Sequence, residues 1–254
     1  MAGILLSGCN GKMGKAVTAS VASTDGCEIV GGIDIYAESL NGYPVFASPA
    51  LVSKDIVEKA DVIIDFSNPS ALAGLLEFAV ENSIPAVIST TGLNDAQINL
   101  LKNAAAKIPV FFSANMSIGV NLLCELSKKA AKVLGDSFDI EIVEMHHNKK
   151  IDAPSGTALM IADAIKGELD ESIKYEYDRH SKREKRTKNE IGIHAVRGGT
   201  ITGEHEVIFA GHDEIIKISH SARSKELFAT GAVNAAKFIC GKPAGLYDMS
   251  AMLK

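Results

Sequence analysis

Ile4-Leu5-Leu6-Ser7-Gly8-Cys9-Asn10-Gly11-Lys12-Met13-Gly14 is the stretch on which the reading of the fold turns. A short apolar run leads directly into a glycine-rich turn, and the turn opens into Lys12 to Ala22, where Met13, Ala16, Val17, Ser20 and Val21 share one helical side. In a strand–turn–helix setting the glycines permit a tight bend and close backbone approach to a pyrophosphate, which then lies at the positive helix N-terminus. The spacing is Gly-x-x-Gly-x-x-Gly, whereas the commoner fingerprint is Gly-x-Gly-x-x-Gly, and a purely structural turn would read the same way. Asp34 weighs against that alternative. It ends a second strand-like run, Glu28 to Asp34, where a carboxylate can accept from ribose hydroxyls. Alone it would be a surface loop acid. Gly8, Asn10, Gly11, Lys12, Met13, Gly14 and Asp34 are therefore the candidates for gripping a dinucleotide.

Further apolar runs follow at 62–66, 85–89 and 110–112, with helical patterns between them. Continuous apolar strands separated by helices imply a parallel sheet covered on both faces, so the expected fold is a Rossmann-like, doubly wound α/β domain. Ligands of such sheets bind beyond the carboxyl ends of the strands. Phe66, Ser67, Ser89, Thr90, Thr91 and Gly92 stand at such ends, although Ser and Thr before a helix are by default caps. After a helical segment from Asn121 to Leu134 the pattern changes. Phe138 to His146 alternates as a strand, a helix starts near Ser155, and strand-like runs occupy 191–197, 204–210 and 213–220, with Gly198-Gly199 as a hairpin signal. This predicts a second α+β domain with a mostly antiparallel sheet. A closing helix carries Phe228, Ala232, Ala235, Ala236 and Ile239 on one face. The expected organisation is a discontinuous dinucleotide-binding domain, 1–116 and 222–254, interrupted by a substrate-binding domain at 117–221.

The composition narrows the class. Of 254 residues 46% are hydrophobic, and 26 basic against 31 acidic side chains leave a net charge of -5. That excludes disorder as the main state and argues against a nucleic-acid surface. Apolar runs fall well short of the roughly 18 residues of a membrane span. The amino terminus reads as lacking a signal peptide, and Cys9, Cys27, Cys124 and Cys240 read as scattered reduced thiols, so a cytoplasmic location is expected. One stretch breaks the charge balance: Lys174 to Lys188 carries seven basic residues against Glu176, Asp178 and Glu184. It reads either as a solvated, mobile loop or as an electropositive rim steering an anionic substrate.

The segment richest in chemistry is Glu144-Met145-His146-His147-Asn148-Lys149-Lys150-Ile151-Asp152-Ala153-Pro154-Ser155-Gly156-Thr157-Ala158. On a strand His146 and His147 point to opposite sides, which makes them poor joint ligands, and no metal site is expected. His146 shares a face with Ile140, Ile142 and Glu144, and a lone histidine there reads first as structural. Lys150 changes that weighting, because a turn could bring its ammonium beside His146, one group donating a proton and the other holding a carboxylate. Pro154-Ser155-Gly156-Thr157 then reads as a helix start that can accept an anion, or as an ordinary capped helix. A dinucleotide domain combined with His, Lys and an anion-binding helix end suggests a reductase of a small carboxylate. Another two-domain dehydrogenase, such as one acting on an amino-acid semialdehyde, or a nucleotide sensor without catalysis, would share the fold.

The sequence also resembles the dihydrodipicolinate (4-hydroxy-tetrahydrodipicolinate) reductase family nearly end to end. The hallmark Glu-x-His-His-x-x-Lys-x-Asp-x-Pro-Ser-Gly-Thr-Ala is matched without a break from Glu144 to Ala158. Asp65-Phe66-Ser67, Thr90-Thr91-Gly92, Ala114-Asn115-Met116-Ser117, the run from Gly192 to Gly199, Gly203-Glu204-His205 and Gly245 to Met249 match as well. The resemblance implies a lysine and diaminopimelate biosynthesis enzyme that passes hydride from NADH or NADPH to a cyclic dicarboxylate. It implies His146 as proton donor with Lys150 beside it, and His147, Ser155, Gly156 and Thr157 as holders of the substrate carboxylates. Thr91 and the turn Ala114, Asn115, Met116 would flank the nicotinamide, and the second domain would join a homotetramer. Ile35 stands where some relatives carry an Arg for the 2′-phosphate, which favours NADH; Lys12 leaves NADPH open.

Overall fold

Ala2–Ser7 is the central strand β1, and from Gly3 to Ser7 every residue is buried, as coverage of both faces of a sheet demands. The computed structural model describes residues 1–170 and 172–253, which divide into two units, Met1–Ser117 with Lys225–Lys254, and Ile118–Ser224. In the first unit β1 is followed by α1 (Lys12–Ala22), β2 (Cys27–Ile33), β3 (Val45–Phe46), α2 (Lys54–Val57), β4 (Val62–Asp65), α3 (Leu72–Glu81), β5 (Ala86–Ile88), α4 (Asp95–Ala105) and β6 (Pro109–Phe112). Side chains alternate across the sheet. Ile4 and Leu6 pack in a core with Val17 and Val21 of α1, whereas Leu5 enters a second core with Leu72, Leu75 and Leu76 of α3 and Leu101 of α4.

The second unit begins with α5 (Ile118–Leu134) and continues through β7 (Asp139–His146), α6 (Gly156–Lys166), β8 (Lys174–Glu176), β9 (Glu190–Arg197), β10 (Gly203–Ala210) and β11 (Ile215–Ala222). Its sheet order is β11-β10-β7-β9-β8. The expectation of a mostly antiparallel sheet is corrected here. β10 runs antiparallel to both β11 and β7, but β7 with β9 and β8 with β9 are parallel, so the sheet is mixed. The reason is α6, which lies between β7 and β9 and gives the crossover that parallel pairing needs. Gly198-Gly199 is likewise no hairpin, because β7 separates β9 from β10. The Gly198 N–H donates to His146 O at 2.9 Å and Gly199 O accepts from the Asn148 N–H at 3.2 Å, extending the contact with the β7 end. On β7 the residues Ile140, Ile142, Glu144 and His146 are all buried, so one face sends two apolar and two ionisable side chains inward.

The chain then returns to the first unit with α7 (Glu226–Ile239), β12 (Gly245–Tyr247) and α8 (Met249–Met252), and β12 adds a parallel strand beside β6. The completed order is β12-β6-β5-β4-β1-β2-β3, all parallel. Ala229, Ala232, Ala235 and Ala236 make α7 thin enough to lie close on the sheet, and a Cβ on Gly231 would stand 1.7 Å from Met116 O. Among the described residues no helix is long and apolar enough to cross a membrane.

Candidate functional site

In the first unit the turn between β1 and α1 is closed by glycines. Gly8 has φ +75°, and a Cβ there would stand 2.6 Å from Phe66 O; on Gly14 it would stand 2.3 Å from Gly8 O and 2.4 Å from Cys9 O. Gly11 caps α1 with no side-chain hydrogen bond, so the first-turn amides have no side-chain acceptor from the cap and face outward for an anion. Asp34 is oriented by the same turn: Oδ2 accepts from the Asn10 N–H at 3.0 Å and Oδ1 from the Tyr36 N–H at 3.1 Å. Asn10 Nδ2 donates to Tyr36 O and Glu38 O, while its buried Oδ1 finds no acceptor role among the described residues. A cleft of about 650 Å³ runs along Gly8, Asn10, Gly11, Asp34, Phe66 and Ser67.

The neighbouring strand ends are organised by Asp65, which is fully buried. The Ser67 hydroxyl donates to its Oδ1 and the Thr90 hydroxyl to its Oδ2, each at 2.6 Å, so both protons are committed inward and only lone pairs remain for a ligand. Ser89 Oγ is buried without a partner among the described residues, Thr91 is exposed, and Gly92 has φ +76°. In the turn after β6, Ala114 is exposed and Asn115 Oδ1 accepts from the Ser117 N–H at 2.9 Å. The Met116 side chain belongs to the core, so only its backbone is placed to meet a ligand. Lys12 is exposed, and Met13 packs partly against the core.

In the second unit a buried polar network surrounds the end of β7. The Glu144 carboxylate, fully buried, accepts from Arg197 Nη1 and Nη2 at 2.8 and 2.7 Å, lies 2.6 Å from His146 Nδ1 and accepts from the Ser155 N–H at 3.0 Å. Burial alone would raise the pKa of this carboxyl, but the Arg197 fork, His146 and the Ser155 amide outweigh burial and hold it below its ordinary value. Register explains the convergence, since Arg197 of β9 lies opposite His146 and His205 of β10 lies opposite Glu144. The His205 ring meets the His146 ring edge-on at 5.3 Å, and its Nε2 is 3.1 Å from Ser155 Oγ. Burial, reinforced by His146, pulls the His205 pKa down to about 4.

Ser155 is the N-cap of α6, its Oγ accepting from the Ala158 N–H. Gly156 follows it exposed, with nothing within 4 Å of where a Cβ would sit. The ammonium of Lys150 pairs with Asp152 at 2.8 Å, so His146 is held by Glu144 and Lys150 is held by its own turn. His147 lies half-buried beyond the strand end. The basic segment is largely neutralised: Arg179 pairs with Glu190 and Lys182 with Glu176, while Arg186 binds Asp139, Glu141 and the carbonyls of Ile140 and Glu190. Among the described residues no group of three or more His, Cys, Asp or Glu could hold a metal ion.

Two family models match consecutive parts of the chain, dihydrodipicolinate reductase N-terminus over residues 2–116 and C-terminus over residues 119–253. The chain belongs to the dihydrodipicolinate reductase family. A 4-hydroxy-tetrahydrodipicolinate reductase of Caldanaerobacter subterraneus subsp. tengcongensis is 52% identical over 99% of this chain and 98% of that protein. One from Clostridium tetani is 49% identical over 100% of this chain and 97% of its own length. Among solved structures, the dipicolinate-bound dihydrodipicolinate reductase of Paenisporosarcina sp. TG-14 superposes with a TM-score of 0.76 at 25% identity, covering 98% of this chain and 97% of that one. Membership makes the chain an oxidoreductase that works with a pyridine nucleotide. Reading the sequence leaves Asp65, Arg197 and His205 without a role and Glu144 as a mere neighbour. For Glu144 a signal exists, two positions before His146 on the same strand face; for Arg197 and His205 it does not, because only the cross-strand register brings them in.

Proposed function

We infer that the family reaction, reduction of 4-hydroxy-tetrahydrodipicolinate to tetrahydrodipicolinate in lysine and diaminopimelate biosynthesis, is divided here between a nucleotide-holding first unit and a proton-donating second unit. A bound reduced nicotinamide supplies the hydride. The glycine turn fits such a group, because its Cβ-free surface, the outward amides of α1 and the unpartnered Asn10 Oδ1 together make a polar cradle. Gly8, Asn10, Gly11, Lys12, Met13 and Gly14 would hold the pyrophosphate, and Asp34 would accept ribose hydroxyls. Its negative charge disfavours a 2′-phosphate, which supports NADH, while Lys12 gives NADPH a counter-charge. Phe66, Ser67, Ser89, Thr90 and Gly92 would line the cofactor site, and Thr91 with the backbone of Ala114, Asn115 and Met116 would flank the nicotinamide.

His146 donates the proton to the substrate ring. The observation that carries this reading is the placement of a buried imidazole against an ionised carboxylate at the end of β7, with that same carboxylate tied to the start of α6. Lys150, His147, Ser155, Gly156 and Thr157 hold the two substrate carboxylates. A homotetramer built through the second unit is supported by Ile215 and Ile216, exposed on the edge strand β11. The cysteines Cys9, Cys27, Cys124 and Cys240 are all unbridged, which supports a cytoplasmic setting. Oxidation of NADH or NADPH, followed spectrophotometrically with and without the product of dihydrodipicolinate synthase, tests the reaction. Substrate-dependent oxidation is expected, and nucleotide binding without oxidation would reject it.

A further inference from the structure

We propose that Glu144 is the positioning residue of this reductase: clamped by Arg197, its carboxylate keeps a proton on His146 Nδ1 and so makes Nε2 the nitrogen that delivers the catalytic proton. This rests on the reading of His146 as proton donor. An ionised carboxylate can only accept hydrogen bonds, so at 2.6 Å from Glu144 Oε2 the Nδ1 atom must be the donor. The carboxylate cannot easily leave that state, since both Arg197 amino groups and the Ser155 N–H also donate to it, and removal of any partner would strand a buried charge. The opposite ring nitrogen is left accessible by the residue type facing it. A Cβ on Gly203 would stand only 3.1 Å from Nε2, and glycine removes it.

The tautomer matters because a neutral imidazole with its proton on Nε2 could donate only by becoming an imidazolate. Held by Glu144, the ring takes up its second proton on Nε2. In the step proposed, the Nε2–H bond breaks, a C–H bond forms on the substrate ring, and the imidazolium returns to the neutral Nδ1–H form. The charged and titratable groups around His146 are Glu144 on its own strand, Arg197 on β9, His205 on β10 with His220 opposite it on β11, and Lys150 with Asp152 in the turn. Of these only Glu144 contacts Nδ1 directly. Through Oε1 it also fixes the Ser155 amide, so one group positions both the proton donor and the helix start that would receive a substrate carboxylate.

The test has two arms. In nitrogen-labelled wild-type protein, long-range nitrogen–proton NMR of neutral His146 should show Nδ1 protonated and Nε2 bare; an Nε2–H tautomer overturns the proposal whatever any variant does. In Glu144→Gln, with folding checked by circular dichroism, His146 should lose that tautomer and kcat should fall by about 10²-fold or more while NADH affinity is unchanged. A kept tautomer, or kcat within about twofold of wild type, overturns it. His146→Gln separates the two levels: if that variant is inactive and Glu144→Gln is normal, only the positioning role fails, whereas an active His146→Gln removes the proton-donor reading and the proposal with it.

Discussion

At the carboxyl ends of β1, β4 and β5 the first unit builds its site from backbone and small residues, whereas at the end of β7 the second unit builds its site from ionisable side chains packed out of water. In the first, the acids serve the scaffold: Asp34 binds two amides, and Asp65 binds an amide and two hydroxyls. In the second, Glu144, His146, Arg197 and His205 contact one another through their side chains, and on the proposed reading they are themselves the reactive or tuning groups. A backbone site tolerates many changes of side chain but no Cβ at its glycines. A side-chain site should respond in the opposite way, to changes of charge at constant shape.

The largest effect should come from removing the proton donor at nearly constant size. His146→Gln preserves the size of the side chain, and turnover should fall by about 10²–10⁴-fold. Nucleotide affinity, measured by titration of the apoprotein, should stay unchanged. A parallel loss of nucleotide affinity would erase the division of labour between the two units.

The second contrast lies in acid stability. The unfolded chain protonates His205 near 6.5, but the folded protein does so only near about 4. Between those values the unfolded state binds more protons, so stability is complete above 6.5 and drops as pH falls, by about 3 kcal/mol in all. Glu144, held low, adds a loss that sets in only below its ordinary 4.5. His205→Gln should therefore flatten the fall in Tm over the upper part of that window and leave the lower part. An unchanged profile would show that the ring is not the buried neutral group described above.

For the backbone site the counterpart is a single methyl. In Gly14→Ala the added carbon would meet two carbonyl oxygens of its own turn. Such overpacking costs about 1–3 kcal/mol. Thermal unfolding and NADH titration should both register it, while the His146 tautomer seen by NMR should not change.

These two kinds of site differ in how far the sequence discloses them. Gly8, Gly11 and Gly14 are adjacent in the chain, so their function follows from local order, and the parallel sheet follows from apolar runs spaced by helices. β12 and β3 escape because runs of two or three residues carry no periodicity. The second sheet misleads because pairing partners are set by crossovers, and α6 reverses the direction expected for β9. His146, Lys150 and Ser155 are visible within one segment together with Glu144 and Asp152, but Arg197, which grips Glu144, and His205, which meets His146 and Ser155, become visible only with the register. Where the Lys150 ammonium lies is not legible for the same reason: it pairs with Asp152 in its own turn, while the group against His146 Nδ1 is a carboxylate two residues back on the strand.

A smaller effect is expected at Asp34, where removal of the carboxylate should cost NADH about 1–2 kcal/mol through its ribose hydroxyls. NADPH should lose less, because the same change relieves repulsion of the 2′-phosphate. Since Asp34 also orders the amides of Asn10 and Tyr36, the measure is the ratio of the two Kd values, and equal losses would assign it to the scaffold alone.

The smallest effect concerns the basic segment 174–188, where sequence and structure point in different directions. A run at +4 looks like a field that draws in anions. Arg179, Lys182, Arg186 and Lys188, however, each face a carboxylate, and Arg186 in addition binds backbone carbonyls of β7 and of the β9 start. Charges spent in this way contribute little field at a distance, and what remains is screened over about 10 Å at moderate salt. The double change Arg183→Ala with Lys185→Ala should therefore alter KM by less than about twofold and leave its salt dependence intact. Arg186→Ala should instead lower Tm, because it strips Glu141 and two carbonyls of a partner in the sheet. A steep rise of KM with salt that the double variant abolishes would restore the steering role and make the second unit a site whose reach extends beyond its buried network.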